Sequence, residues 1–561
     1  MPQFTRNNLI YISFFLLSIF TSQANSTHKS PFISVKILGI NDFHGQISSG
    51  RFFKNQPVGG AAVLAAYLKQ AQLGLEEQTL ITIMGDQVGA SPPSSGLLHD
   101  EPSIIFTNTL GNSHCNQTNR LDPQCNIVAT VGNHEFDKGQ RAMLDLIYGT
   151  DKPPTDNWIA LPNYPGASYP YISANIVDAK THKPVFPPYV IKKVKGIRIA
   201  FIGAVLKNAA DSMFPANAEG IEFLDEVESI NQYIPEVKEQ GATAIVVIMH
   251  EGGNQIPYEG DTKTSTQVEG SINAIVQDLD DDIDVVMGGH THQFLNAYLS
   301  NKNGKSMLVT QANSYSSSFA DVTLRIDPTT GKVAQKSARI VNTFANRWPG
   351  TVPDEQALQI VSLAENTVAP KINSYVGTLQ NEVSRKENAD GECTIGNLIA
   401  DALKSEMNTE IGLTNPHGLR DDLRPGIISW GQIYSVLPFS NNILTVTLSG
   451  EDIYALLEQQ WMGSYSNMLQ ISGITYTYDP SKPVGKRIVK IMHHDKPLNK
   501  LHTYTIATPD FLATGGGIFS VMKRSKLIKI GENDHDTLVN YIKKLPQPFA
   551  VEIEGRIKRI S

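Results

Sequence analysis

A chain of 561 residues exceeds what one ordinary hydrophobic core supports, so two or more domains are expected. With 41% hydrophobic and 18% charged residues, the composition excludes a disordered chain. A formal charge of −8 gives no electrostatic reason to expect a nucleic-acid polymer as partner.

Residues 1–24 read as a cleavable signal peptide. Arg6 supplies the positive start, residues 9–20 an apolar run, and Ser22-Gln23-Ala24 a plausible cleavage point. The apolar run is short of the ~20 residues that a membrane span needs. No Cys lies near the cleavage point to carry a lipid, and residues 552–561 are charged, so no stable membrane anchor is expected. The expected address is periplasmic in a cell with two membranes and secreted otherwise.

Residues 33–40 read as a strand that runs into Asn41-Asp42-Phe43-His44-Gly45. Residues 58–70 read as a Gly-led helix, and residues 79–84 as a strand ending at Gly85-Asp86. Cys115 and Cys125 lie ten apart in a polar loop, where export permits a disulfide; Cys393 is left over in an apolar helical pattern and reads as buried and inert. A strand over 127–131 ends at Gly132-Asn133-His134-Glu135-Phe136-Asp137. Residues 150–190, rich in Pro, Asn and Tyr, read as irregular loops. Residues 197–204 and 244–249 read as strands, the second ending at His250, and residues 285–287 lead through two glycines to His290-Thr291-His292. Helix-like stretches separate these strands, so the first half reads as α/β. After the punctuation at Trp348-Pro349-Gly350, residues 353–374 read as a helix.

In open α/β sheets, ligands bind beyond the carboxyl ends of strands. Asp42, His44, Asp86, Asn133, His250, His290 and His292 all stand at such ends. Any one alone reads as a cap or turn residue, but histidine is a poor cap, and the recurrence needs another reason. Carboxylate, amide and imidazole ligands suit zinc, manganese or iron rather than copper(I). Seven ligands exceed one tetrahedral site, so two divalent metal ions are implied, with Asp86 able to bridge them. Such pairs lie ~3.5–4 Å apart and hold the attacking and leaving oxygens of a displacement, and a hydroxide held between them is a nucleophile at neutral pH. Asp137, three residues after His134, can orient its imidazole. His134 would then stabilise phosphoryl oxygens or protonate the leaving group.

These motifs, in this order, resemble the calcineurin-like metallophosphoesterase signature, and in particular the 5′-nucleotidase family of secreted two-domain enzymes, which includes the bacterial periplasmic 5′-nucleotidase/UDP-sugar hydrolase type. The resemblance implies a mixed α/β and α+β protein. A metallophosphoesterase β-sandwich flanked by helices would span 30–348, a linker helix 349–374, and a nucleotide-binding domain 375–561. It implies one metal on Asp42, His44, Asp86 and His292, the other on Asp86, Asn133, His250 and His290, and a His134–Asp137 catalytic dyad. Zinc or manganese is the expected metal. Gln or Asn can stand at the position of His292 in relatives.

In the second half, residues 393–402 match a family helix start. Asn415-Pro416-His417-Gly418-Leu419-Arg420 resembles the loop whose Asn and Arg contact substrate, and Arg385 aligns as a second substrate Arg. Guanidinium groups suit phosphate through paired hydrogen bonds. Val436-Leu437-Pro438-Phe439 and Asp510-Phe511-Leu512-Ala513-Thr514-Gly515-Gly516 resemble the loops that carry two base-stacking aromatics, Phe439 and Phe511. One departure stands out. Gly517 occupies the place of the family's ribose-binding Asp, so ribose selectivity is weakened or supplied by Asn415 or Asp510.

The implied activity is hydrolysis of nucleoside 5′-phosphates to nucleoside and phosphate. A cyclic 2′,3′-nucleotide phosphodiesterase with 3′-nucleotidase activity and a UDP-sugar hydrolase are rivals on the same metals. An exported metal- or nucleotide-binding protein without activity is the rival of another class. The nucleotide is the expected partner, and the sequence leaves the oligomeric state open.

Overall fold

The computed structural model describes residues 32–150, 164–264, 267–463 and 466–560, so the targeting segment 1–24 lies outside the described residues. Strand Ile33–Ile40 sits at the centre of a five-stranded sheet. It pairs parallel with Thr79–Met84, which pairs parallel with Ile127–Thr130. On its other side it pairs antiparallel with Ser318–Ile326, and Val333–Asn342 forms the edge. A six-stranded sheet faces it, in the order Phe294–Ser300, Ser306–Ala312, Val285–Met287, Ala244–His250, Ile197–Val205, Tyr189–Val194.

The alternation of side chains along each strand explains the layering. Val35 and Ile37 share a buried cluster with Val246, Ile248 and Met287 of the other sheet. Leu38 and Ile40 point away, into a core shared with helices Ala61–Gln72 and Glu101–Asn108. Ile245 and Val247 point out of the second sheet, beneath helices Glu226–Asn231, Ile234–Glu239 and Ile272–Asp278. The first half is thus two packed sheets with helices on both outer faces.

Local chemistry corrects the sequence reading at three places. The helix expected from residue 58 begins at Ala61, because Gln56–Val58 pairs as a strand with Arg51–Phe53 and Gly59 and Gly60 both have positive φ. The stretch expected to be irregular over 150–190 contains strand Ile176–Asp178, paired with Ile221–Phe223. Tyr189–Val194 begins at its end as one arm of a hairpin. Lys195 and Gly196, at φ 48° and 85°, make the tight turn into Ile197–Val205. Composition did not mark these short runs among the prolines. The four strands between Phe294 and Asn342 were likewise not expected.

The helix expected over 353–374 is Glu355–Ile372, capped by Asp354, whose side chain accepts from Ala357 N. Its buried Ala357, Val361, Ala364 and Val368 recur at helical spacing and join the core outside the first sheet. Beyond it, Gln470–Ser472, Ile411–Thr414, Thr503–Pro509, Asn442–Ser449 and Lys526–Asn533 form a five-stranded sheet. Helices Thr394–Met407 and Asp534–Lys544 share one core there through Leu398, Leu403, Leu538 and Ile542. Cys115 and Cys125 form a disulfide. Cys393 is free and buried, and burial pushes its thiol up to about 12, which keeps it unreactive.

Candidate active site

The strand ends meet. Asp42 and His44 follow Ile33–Ile40, Asp86 follows Thr79–Met84, and Asn133 follows Ile127–Thr130; His250 ends its strand in the facing sheet, and His290 and His292 follow Val285–Met287. Asp86 Oδ2 lies 3.0 Å from His250 Nε2 and 3.7 Å from His44 Nε2. Asp42 Oδ1 lies 3.2 Å from His292 Nε2 and 4.0 Å from His44 Nε2. Asp42, His44 and His292 offer ligand atoms within 4.8 Å of one another, and so do Asp86, His250 and His290. The structure therefore brings six of the seven residues together, with Asp86 between the two groups, and Asn133 lines the same cavity as Asp86.

Backbone conformation turns these side chains inward. Asp42, His44, Asp86, His290 and His292 all have positive φ, from 48° to 74°, a region that costs non-glycine residues energy. Gly132 is required by close approach. A Cβ there would lie 2.2 Å from Asp86 Oδ1 and 2.7 Å from His250 Nε2.

The donor set fits cations. His250 Nδ1 lies 2.8 Å from the Met84 carbonyl and His44 Nδ1 2.9 Å from that of Gly89, so each Nδ1 donates to a carbonyl and Nε2 is the atom each ring would offer to a cation. His44 Nε2 and His292 Nε2 stand 3.0 Å apart. Burial drives the His44 imidazole well below its ordinary value, which favours the neutral ligand form. Burial alone would raise the Asp86 carboxyl, but His250, His134 and His44 hold it well below the usual carboxylate range. Asn133 Oδ1 is buried with no hydrogen-bond partner. A buried acceptor of this kind calls for a cation or donor.

His134 lies beside this centre. Its backbone N–H donates to Asp86 Oδ1 at 2.9 Å, and its Nδ1 is 3.0 Å from both Asp137 oxygens. Burial pulls the imidazole down, yet Asp137 and Asp86 outweigh it, and the net shift is upward. Glu135, not singled out in the sequence, accepts from the backbone N–H of Gly132, Asp86 and Gln87 and so ties two ligand-bearing turns together.

A cavity of about 2030 Å³ opens on this centre. Asp86, Asn133, His134 and His292 line it from one half of the chain, and Asn415, Arg420, Phe439, Phe511 and Gly517 from the other. The Arg420 guanidinium Nη2 donates to Tyr315 Oη at 3.0 Å and lies 3.5 Å from His44 Nε2. Arg385 is not brought to the cavity. Its Nε is paired with Asp422 at 3.4 Å, and its Nη1 donates to the Leu419 carbonyl. Asp510, an expected substitute for the missing ribose carboxylate, is committed elsewhere: it accepts from Asn442 N and Phe511 N. Tyr315 was also missed, because neither its residue type nor its spacing marks a partner of Arg420.

Residues 35–294 match the family described as calcineurin-like phosphoesterase, and residues 375–524 the one described as 5′-nucleotidase, C-terminal domain. The chain is similar to Endonuclease YhcR of Bacillus subtilis, at 32% identity over 94% of this chain and 41% of that protein. It is also similar to Cell wall protein Lmo0130 of Listeria monocytogenes, at 30% identity over 91% of this chain and 67% of that protein. The chain thus spans less than half the length of the first of these relatives. Among solved structures, a 5′-nucleotidase precursor from Thermus thermophilus superposes with a TM-score of 0.76 at 22% identity, over 94% of this chain and 99% of that one.

Proposed function

The chain belongs to the 5′-nucleotidase family of two-domain calcineurin-like phosphoesterases, and from that premise we propose that it is an exported hydrolase of nucleoside 5′-monophosphates. One observation carries the reading: a single cavity sets the Asp/His/Asn centre and His134 opposite Asn415, Arg420, Phe439 and Phe511. Asp42, His44, Asp86 and His292 would hold one divalent ion, and Asp86, Asn133, His250 and His290 the other, zinc or manganese by ligand chemistry. When bound, such ions supply the charge that activates water and draws electrons from the phosphoryl group. Arg420 would bind phosphoryl oxygens, which its fixed positive charge favours. Phe439 and Phe511 would stack the base, and Asn415 would hydrogen-bond the nucleoside. His134, held by Asp137, would stabilise charge on the phosphoryl oxygens or deliver a proton to the departing oxygen.

Export rests on Arg6, the apolar run 9–20 and the small residues at 22–24, with a relative named a cell wall protein as support. Among the described residues, no helix is long and apolar enough to cross a membrane.

The name of one relative raises nucleic-acid cleavage as a second reading. The cavity weighs against it: Lys207 and Lys302 pair with Asp225 and Asp278, but Asp211, Glu226, Glu228 and Glu269 also line it and leave an acidic wall that disfavours a polyanion. The test is a substrate panel on chelator-stripped and metal-restored protein: AMP, 3′-AMP, cyclic 2′,3′-AMP, UDP-glucose and single-stranded DNA. AMP turned over fastest, only after metal is restored, is the expected result. Preference for a diester or the nucleotide sugar would replace this reading, and activity unaffected by chelation would remove the metal centre from it.

A further inference from the structure

Tyr315 stands where the two halves of the chain meet, and neither the ligand set nor the His134–Asp137 pair uses it. Its backbone N–H donates to the Asp42 carbonyl at 2.7 Å. Its ring centroid lies 5.1 Å from the His44 ring and 5.4 Å from that of His292. Its hydroxyl accepts from Arg420 Nη2 at 3.0 Å. Tyr315 holds a φ of 54°, and its neighbours Asn313 and Ser316 are also in the left-handed region. A bulky residue stays in that region only where its surroundings over-determine it.

The contact has a second point. The Arg51 guanidinium lies over the Tyr315 ring, 4.2 Å from its centroid. Arg51 Nη1 pairs with Asp421 at 3.3 Å, and its Nε donates to Gln46 at 2.9 Å. Consecutive residues of the second half, Arg420 and Asp421, therefore grip Tyr315 and the arginine stacked upon it.

The choice of partner has a chemical consequence. A carboxylate on Arg420 would cancel the charge that a phosphoryl group needs. A phenol orients the guanidinium and leaves its charge intact. Arg420 Nε is buried with no protein partner, so a planar fork fixed at one Nη still has a donor to give.

We propose that Tyr315 is a positioning residue that presents Arg420 to the substrate's phosphoryl group. The proposal rests on the phosphohydrolase reading above. It acts through Arg420 alone, so the two residues must be coupled. Tyr315→Phe keeps the ring under Arg51 and removes only the hydroxyl.

The test is a double-mutant cycle on metal-loaded protein with Tyr315→Phe, Arg420→Ala and both, read by kcat/KM on AMP and by calorimetric Kd for inorganic phosphate. With Arg420 present, Tyr315→Phe is expected to weaken both by roughly tenfold. With Arg420→Ala the same change is expected to cost less than about twofold. Metal content, measured by elemental analysis, should not move. Equal losses in both backgrounds, no loss beside intact Arg420, or loss of metal in Tyr315→Phe would each overturn the proposal. A wild-type chain inactive on every phosphoester would sink the hydrolase reading, and the phosphate Kd would still decide whether Tyr315 acts through Arg420.

Discussion

The Phe439 ring stacks on the His134 imidazole, with centroids 5.7 Å apart and planes 21° from parallel. The pair joins an aromatic of the second half to the imidazole beside the Asp/His centre of the first. If Phe439 is a base platform, its truncation must hurt a nucleotide more than a phosphate ester without a base. Phe439→Leu should lower kcat/KM for AMP by roughly 5- to 150-fold, the equivalent of ~1–3 kcal/mol for one lost stack. Glycerol phosphate should lose little. Equal losses on both substrates would make Phe439 a support for His134 instead.

His134 and Asp137 invite a graded test. Asp137 also accepts from the Ala90 backbone N–H at 3.0 Å, so it fixes a loop as well as the imidazole. His134→Ala should lower kcat by about 10²–10⁴-fold, the range for a lost proton-transfer group. Asp137→Asn should cost less, since the imidazole remains but loses the charge that raises its pKa. Both variants should keep their metal. Full activity in His134→Ala would remove it from the chemistry.

Much of this was legible because strand ends carry unusual residue types. Apolar runs ending in Asp-x-His, Gly-Asp, Gly-Asn-His, His-Glu-Gly-Gly or His-x-His marked the candidate ligand-bearing turns, and the strands at 33–40 and 79–84 begin and end where expected. The candidate ligands could be named without knowing which sheet held them. What was hidden depends on long-range pairing. The strands Phe294–Ser300 through Val333–Asn342 are recruited by neighbours already in place, and their own pattern is weak. Arg385 aligned with a substrate arginine, but in the fold Asp422 is close enough to take its guanidinium. Tyr315 could not be read at all, since its role comes from a left-handed backbone and from Arg420, 105 positions away.

Gly517 offers a gain-of-contact test. Its N–H donates to the Asp211 carbonyl at 2.7 Å, and an added Cβ would meet nothing nearer than that same oxygen at 4.0 Å. There is room for a side chain, although φ is 64°. Aspartate is among the residues that tolerate this region, at a cost of roughly 1–2 kcal/mol. Gly517→Asp should therefore fold with a slightly lowered Tm. Its preference for AMP over glycerol phosphate should rise about tenfold, as expected when a carboxylate gains sugar hydroxyls. An unchanged ratio would mean that the nucleoside does not approach this loop.

Lys192, which does not line the cavity, provides a pH test. It lies fully buried in Tyr189–Val194, and its ammonium donates to the Asp122 carbonyl at 3.0 Å. Burial pushes it down to about 7, against the opposing pull of Asp122. In the unfolded chain a lysine titrates near ~10.4. Between these values the unfolded state binds a proton that the folded state does not, so this group makes stability rise with pH through that window. Its penalty is full below about 7 and gone above the unfolded value. Lys192→Met removes the titration and leaves the Asp122 carbonyl with the Cys125 N–H as its donor. Relative to the variant, the wild type should gain stability from pH 7 to 9.5 with a slope approaching ~1.4 kcal/mol per pH unit, measured by urea unfolding. Parallel stability curves would show that Lys192 keeps its proton in the fold, and that the Asp122 carbonyl and its surroundings solvate the ammonium well enough to hold it charged.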